Sequence, residues 1–317
     1  MSSDAEQGGS PGGAGSAAWA IGHVPFARGF YAGRRVRGVE VREETLAAPF
    51  DTVRLKRHER VGGADVGGAG AAAPLVVFFP DAEAVSARGR RSGDWLAASL
   101  ARRLPVVVVT VQIPAAVLDD REAAFEALLR ALGAGGGGSS GSGASGGSAS
   151  GAGGDPKIAL VGVGTGGALA ARTAMRARDT RDVPDSAVSV SEVPGGPRIQ
   201  RQALISPDFA LLTGPPATED ALRTSLVARL SELPATLVQQ YGDRAASRSD
   251  PSQNLVELLR ESGVAVRSIA YPPQRLDWTE YPRAVRSSSR ALDDLVAFLE
   301  RGIVTDGFDV VPAWNLH

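Results

Sequence analysis

Residues 157–171 read KIALVGVGTGGALAA: an apolar run, a glycine-rich turn, then a helix-forming run. Two kinds of chemistry use that geometry. A nucleophile elbow, G-x-S-x-G, lifts a serine hydroxyl to the top of a sheet on a strained strand-to-helix turn. In that alignment Gly162-Val163-Gly164-Thr165-Gly166 puts Gly164 where the serine belongs. A dinucleotide fingerprint, G-x-G-x-x-G, brings backbone N–H groups up to a pyrophosphate. Gly162, Gly164 and Gly167 satisfy its spacing. That fingerprint also wants an acidic residue about twenty positions on, at a strand end. Asp179, Asp182 and Asp185 fall near that distance in a polar, proline-containing stretch, and Glu192 lies 30 residues past Gly162.

Other chemistry is bounded by composition. The chain has no cysteine, which excludes disulfides, thiolate catalysis and cysteine-based zinc sites. Its three histidines are His23, His58 and His317, and no His/Asp/Glu group has metal-ligand spacing, so neither metal nor cofactor is expected. With 34 basic and 35 acidic residues the net charge is −1, which argues against a nucleic-acid binder. Only Lys56 and Lys157 are lysines, so 34 − 2 = 32 basic residues are arginine.

These residues need a scaffold of 317 residues with 43% apolar content, enough for one large α/β domain. Residues 39–44 and 52–57 read as an antiparallel pair. Short apolar strands are expected at 75–79, 106–111, 158–161, 203–205, 235–239 and 264–269. Helical patterns fall at 94–103, 120–132, 166–178, 251–262 and 284–300. Apolar strands separated by helices imply a parallel sheet covered on both faces, with ligands at the carboxyl ends of its strands.

Two stretches stand apart. Residues 1–18 have no basic start and no apolar core, which reads as a tail rather than a leader. The 22 residues of 133–154 are all Gly, Ser or Ala and hold twelve of the 39 glycines. They are expected to form a flexible loop within a single domain spanning 19–317, entering a strand at its amino end, away from any active site. No run nears the roughly 20 apolar residues of a membrane helix, and a cytoplasmic location is expected.

Five ordered segments across 39–301 resemble the hormone-sensitive-lipase-like branch of the α/β-hydrolase fold. PLVVFFP (74–80) resembles the strand that ends in the family's HGGG oxyanion turn, and GVGTGGALAA (162–171) its GDSAGGNLAA elbow. ALISP (203–207) resembles the strand after the elbow. TSLVARLSELPATLVQQYGD (224–243) is similar to the segment that ends on the triad acid, and AYPPQRLDW (270–278) to the segment that carries the histidine. The resemblance implies a parallel-dominated central sheet with helices on both faces and a short cap-like excursion at about 207–233.

Carried over residue by residue, the catalytic groups mostly fail. Gly164 stands at the nucleophile position, Leu276 at the histidine position, and Trp278 at that of the family's aromatic residue. Pro80-Asp81-Ala82-Glu83 replaces the HGGG turn, and only the acid, Asp243, is retained. A triad needs a nucleophile, a base within hydrogen-bond reach and an orienting acid. Thr165 would turn its N–H toward the site, so it reads as a small residue packing the turn. His58 reads as solvated, Asp81 and Glu83 as solvated loop charges, and the Arg-Gly-Arg-Arg run at 88–91 as a solvated loop.

The sequence therefore predicts a degenerate hydrolase-fold protein. Thr165, Gly166, Asp81, Ala82 and Trp278 would line a pocket for a small apolar or acyl-like ligand, or the surface would meet a protein partner. The alternatives are a divergent ester hydrolase or non-hydrolytic enzyme of the same fold, and a nucleotide binder at Gly162, Gly164 and Gly167.

Overall fold

Five-residue and six-residue apolar runs, buried along their whole length, make the central strands of one sheet. The computed structural model describes residues 35–47, 51–62, 73–88, 91–114, 124–125, 127–130, 156–181, 197–208, 212, 219–241, 251–272 and 278–305. Among these, the strands are β1 (Val39–Thr45), β2 (Arg54–Arg60), β3 (Leu75–Phe79), β4 (Val107–Gln112), β5 (Ile158–Val163), β6 (Ile199–Ile205), β7 (Ala235–Tyr241) and β8 (Val266–Tyr271). They form one eight-stranded sheet in the order β1-β2-β4-β3-β5-β6-β7-β8. The β1–β2 and β2–β4 pairs are antiparallel, and every pair from β4–β3 to β7–β8 is parallel. The expected fold class is the observed one.

Period-two alternation sends the strands' side chains into two cores. Leu75, Val77, Phe79, Leu160 and Leu204 join one cluster, with Leu169 and Ala174 of α3 (Thr165–Arg181), Leu226 of α4 (Glu219–Leu230) and Leu255 of α5 (Pro251–Glu261). Val76, Phe78, Val161 and Ile205 join the other, with Leu96 and Leu100 of α2 (Asp94–Arg103) and Leu292 and Leu295 of α6 (Ser288–Leu299). A further helix, α1 (Ala82–Arg88), follows β3 directly, and a π-helical turn, Glu300–Val304, closes α6. Leu128 and Phe125, read as the apolar face of a helix, are buried in the first cluster.

The chain leaves β3 toward β4 on one side, then returns to place β5 on the other. The helix α2 between β3 and β4 and the helix α3 after β5 thus cover opposite faces. The reversal falls at the carboxyl ends of β3 and β5, the position at which open α/β sheets bind their ligands.

Several expectations shift. The strand read at 203–205 begins four residues earlier, and α4 occupies much of the cap-like excursion expected at 207–233. The turn expected at 80–83 runs straight into α1. The tail at 1–18 and the Gly/Ser/Ala stretch at 133–154 lie outside the described residues. Among the described residues no helix is long and apolar enough to cross a membrane.

Candidate active site

The elbow forms where β5 ends at Val163 and α3 begins at Thr165. Gly164, between them, has φ of +54°, a left-handed conformation that glycine adopts without Cβ strain. Its neighbours pin the turn. Gly164 N–H donates to Ile205 O at 2.9 Å, and Gly164 O accepts from Gly167 N–H at 3.0 Å and Asp208 N–H at 2.9 Å. Gly166 is needed for close approach, because a Cβ there would collide with the carbonyls of Phe79 and Pro80. The strand-turn-helix geometry of an elbow is therefore present, with glycine at its tip.

The space a side chain would fill at Gly164 is taken. A Cβ there would run into Asp81 Oδ2. The same oxygen accepts from Thr165 N–H at 3.3 Å. In an elbow this N–H, one residue past the nucleophile, is an oxyanion-hole donor. The other carboxylate oxygen, Oδ1, accepts from Glu83 N–H at 2.8 Å and Ala84 N–H at 3.2 Å. Asp81 thus caps α1 while lying over the start of α3, which suits an anion facing two helix N-termini. Ala82 N–H donates to Thr165 Oγ1 at 2.7 Å. Asp81, Ala82 and Thr165 satisfy one another, and the reading of Asp81 as a solvated loop charge is corrected. Glu83 is exposed as expected.

Trp278 is buried, 1% exposed, at the carboxyl edge. It meets Trp95 edge-on at 6.3 Å between ring centroids and Tyr241 at 6.1 Å, and Tyr241 stacks on Tyr271 at 4.8 Å. Tyr271 OH donates to Asp294 Oδ2 at 2.8 Å, and burial followed by this carboxylate raises its pKa. Sequence reasoning missed a buried network beside Trp278. Glu280 Oε1 accepts from Ser92 Oγ at 2.9 Å and Gly93 N–H at 2.8 Å, and Gln112 Nε2 donates to Ser92 O at 2.9 Å. It ties the segment after β8 to the start of α2. Nothing in the polar run Thr279-Glu280-Tyr281 signals it.

The expectation for His58 is overturned. It lies inside β2, fully buried, with Nε2 3.2 Å from Thr110 Oγ1. Burial, aided by nearby Lys56, lowers its pKa to about 4. Lys56 is buried too and pairs with Asp94, its Nζ 2.8 Å from Oδ1 and 3.0 Å from Oδ2. Burial raises the Asp94 pKa, against the opposing pull of Lys56. Asp243 and Leu276, the positions at which the resemblance implies the acid and the histidine, lie outside the described residues, as do His23 and His317. Among the described residues no group of three or more His, Asp or Glu side chains could hold a metal ion.

A family model described as the alpha/beta hydrolase fold matches residues 86–278, more than half of the chain. This chain belongs to that family. Solved structures agree on the fold. An esterase from Pyrobaculum calidifontis is 18% identical with a TM-score of 0.55, over 89% of this chain and 91% of that one. Carboxyl esterase 2 from the mycorrhizal fungus Tuber melanosporum is 14% identical with a TM-score of 0.58, over 91% and 98%. A hormone-sensitive lipase from a metagenome library is 18% identical with a TM-score of 0.55, over 86% and 88%. At such identities the likeness is one of fold. No curated protein matches the chain in sequence.

Proposed function

We propose that this member of the α/β-hydrolase fold family does not cleave esters by the serine mechanism and acts through binding. One observation carries the reading: the Asp81 carboxylate occupies the side-chain space at Gly164 and takes up Thr165 N–H. Glycine offers no nucleophile. An anion held beside the oxyanion donor opposes the negative charge that acyl transfer must develop there. Leucine at position 276 cannot accept a proton, and Asp243 is on this reading a vestigial acid. The groups expected to line a ligand pocket, Asp81, Ala82 and Thr165, bond to one another, and Trp278 packs among aromatic rings. These contacts disfavour a small apolar or acyl-like ligand at this turn, which leaves the expected protein partner as the binding reading.

The esterase neighbours motivate a second reading, a divergent hydrolase using Thr165. Its Oγ1 already accepts the Ala82 N–H, and no base is described within reach. Nucleotide binding at the glycine turn meets the same obstacle, because Asp81 sets a carboxylate where a pyrophosphate would need the helix N-terminus. A fluorophosphonate probe with mass-spectrometric readout separates the first two readings. The expected result is no adduct on Thr165 or elsewhere near the turn. A stoichiometric adduct there would overturn the proposal.

A further inference from the structure

At the other end of α3 lies a cavity of about 310 Å³, lined by Arg172, Arg176, Arg178 and Arg229 against one carboxylate, Asp179. We propose that it binds a small organic oxyanion, a carboxylate or phosphate joined to a short apolar portion. Four guanidiniums line it. Arg178 is committed to structure: it donates to the carbonyls of Arg229 and Ser231 at the end of α4 and pairs with Asp179. Arg176 lies over the Phe125 ring, 5.8 Å from its centroid. The Arg229 guanidinium makes no hydrogen bond or ion pair among the described residues. It faces a concave, partly apolar space in which a charge-assisted hydrogen bond to an oxyanion is strong.

A second observation points to a ligand independently. Thr173, 2% exposed, lines the same cavity, and its Oγ1 has no hydrogen-bond partner among the described residues. A helical threonine ordinarily bonds back to a carbonyl of the preceding turn. A buried hydroxyl left unpaired is costly, and an oxyanion reaching past Arg229 would accept its proton. Leu169 and Met175 supply the apolar wall. The volume falls within the range of small-molecule sites.

The place in the fold makes this site separate from the elbow. Thr173 is eight residues along α3 from Thr165, about 12 Å at the helical rise. Because α3 runs back against the strands, the cavity lies toward their amino ends.

Calorimetric titration of the full chain with sodium phosphate, citrate and octanoate, against sodium chloride at matched ionic strength, tests the proposal. At least one of the three should saturate a single site. Preference for octanoate assigns an acyl carboxylate, and preference for phosphate a phosphoryl group. Arg229→Ala should weaken binding at least about tenfold, the worth of one charge-assisted hydrogen bond, and Thr173→Val by a smaller factor. Circular dichroism checks each fold. Arg176→Glu, on an exposed side chain, repeats the test should Arg229→Ala fail to fold, and Arg102→Ala on α2 should bind as the parent does. Binding no tighter than chloride for all three anions, or undiminished binding in Arg229→Ala and Arg176→Glu, would overturn it.

Discussion

Gly164 and Asp81 share one small volume, so each limits what the other position can hold. Gly164→Ala would force a Cβ into the Asp81 carboxylate at a left-handed backbone position. The expected cost is about 2–4 kcal/mol, the sum of left-handed strain and overpacking. In an Asp81→Gly background the added cost of Gly164→Ala should fall to about 1–2 kcal/mol, since only backbone strain remains. Urea midpoints for the four proteins of this double-mutant cycle check the coupling, and strict additivity would contradict the contact. His58 gives a second prediction. Its folded pKa of about 4 lies below the ordinary 6.5, so the unfolded chain binds the extra proton first. Stability should be fullest above pH 6.5 and fall as pH drops toward 4, by up to roughly 3 kcal/mol at 1.36 kcal/mol per pKa unit. His58→Gln should remove that increment. An unchanged slope of unfolding free energy between pH 6.5 and 4.5 would contradict it.

Between elements, the half-buried Lys56–Asp94 pair fastens β2 to the first turn of α2. Lys56→Met should lower stability by roughly 2–3 kcal/mol, less than a fully buried pair loses, because the Asp94 side chain keeps 38% of its surface exposed. Urea denaturation measures this, and a loss under about 0.5 kcal/mol would place the pair among inert surface bridges. The pair also shows what the sequence concealed. β3 and α2 were legible to the residue, because continuous apolar runs and a period near 3.6 leave little choice. β2, written Arg-Leu-Lys-Arg-His-Glu-Arg, looks like an exposed ribbon. Only the sheet and α2 bury Lys56 and His58 on one face. α1 is hidden although Asp81 is a good N-cap with Glu83 in the first turn, since the resemblance assigns that segment to an oxyanion turn. The strand-turn-helix with Gly164 at its tip is legible from spacing. The carboxylate at that tip is not, because residues 81 and 164 meet only through the parallel pairing of β3 with β5.

For the whole molecule, a single sheet with two covered faces predicts one cooperative unit interrupted by the stretch at 133–154. Shortening that stretch to about eight residues should leave one thermal transition and raise stability by roughly 1 kcal/mol through reduced loop-closure entropy. Two separate transitions would contradict the single-domain reading. The same sheet sets an elbow at its topological switch point and then closes it with Asp81. Repair follows from that geometry. Gly164→Ser with Leu276→His should stay inactive while Asp81 is present, and gain measurable esterase activity only when Asp81→Gly is added. The most direct measurement is hydrolysis of p-nitrophenyl butyrate by the unmodified protein. A rate indistinguishable from buffer is expected, and saturable turnover abolished by Thr165→Ala would contradict the account.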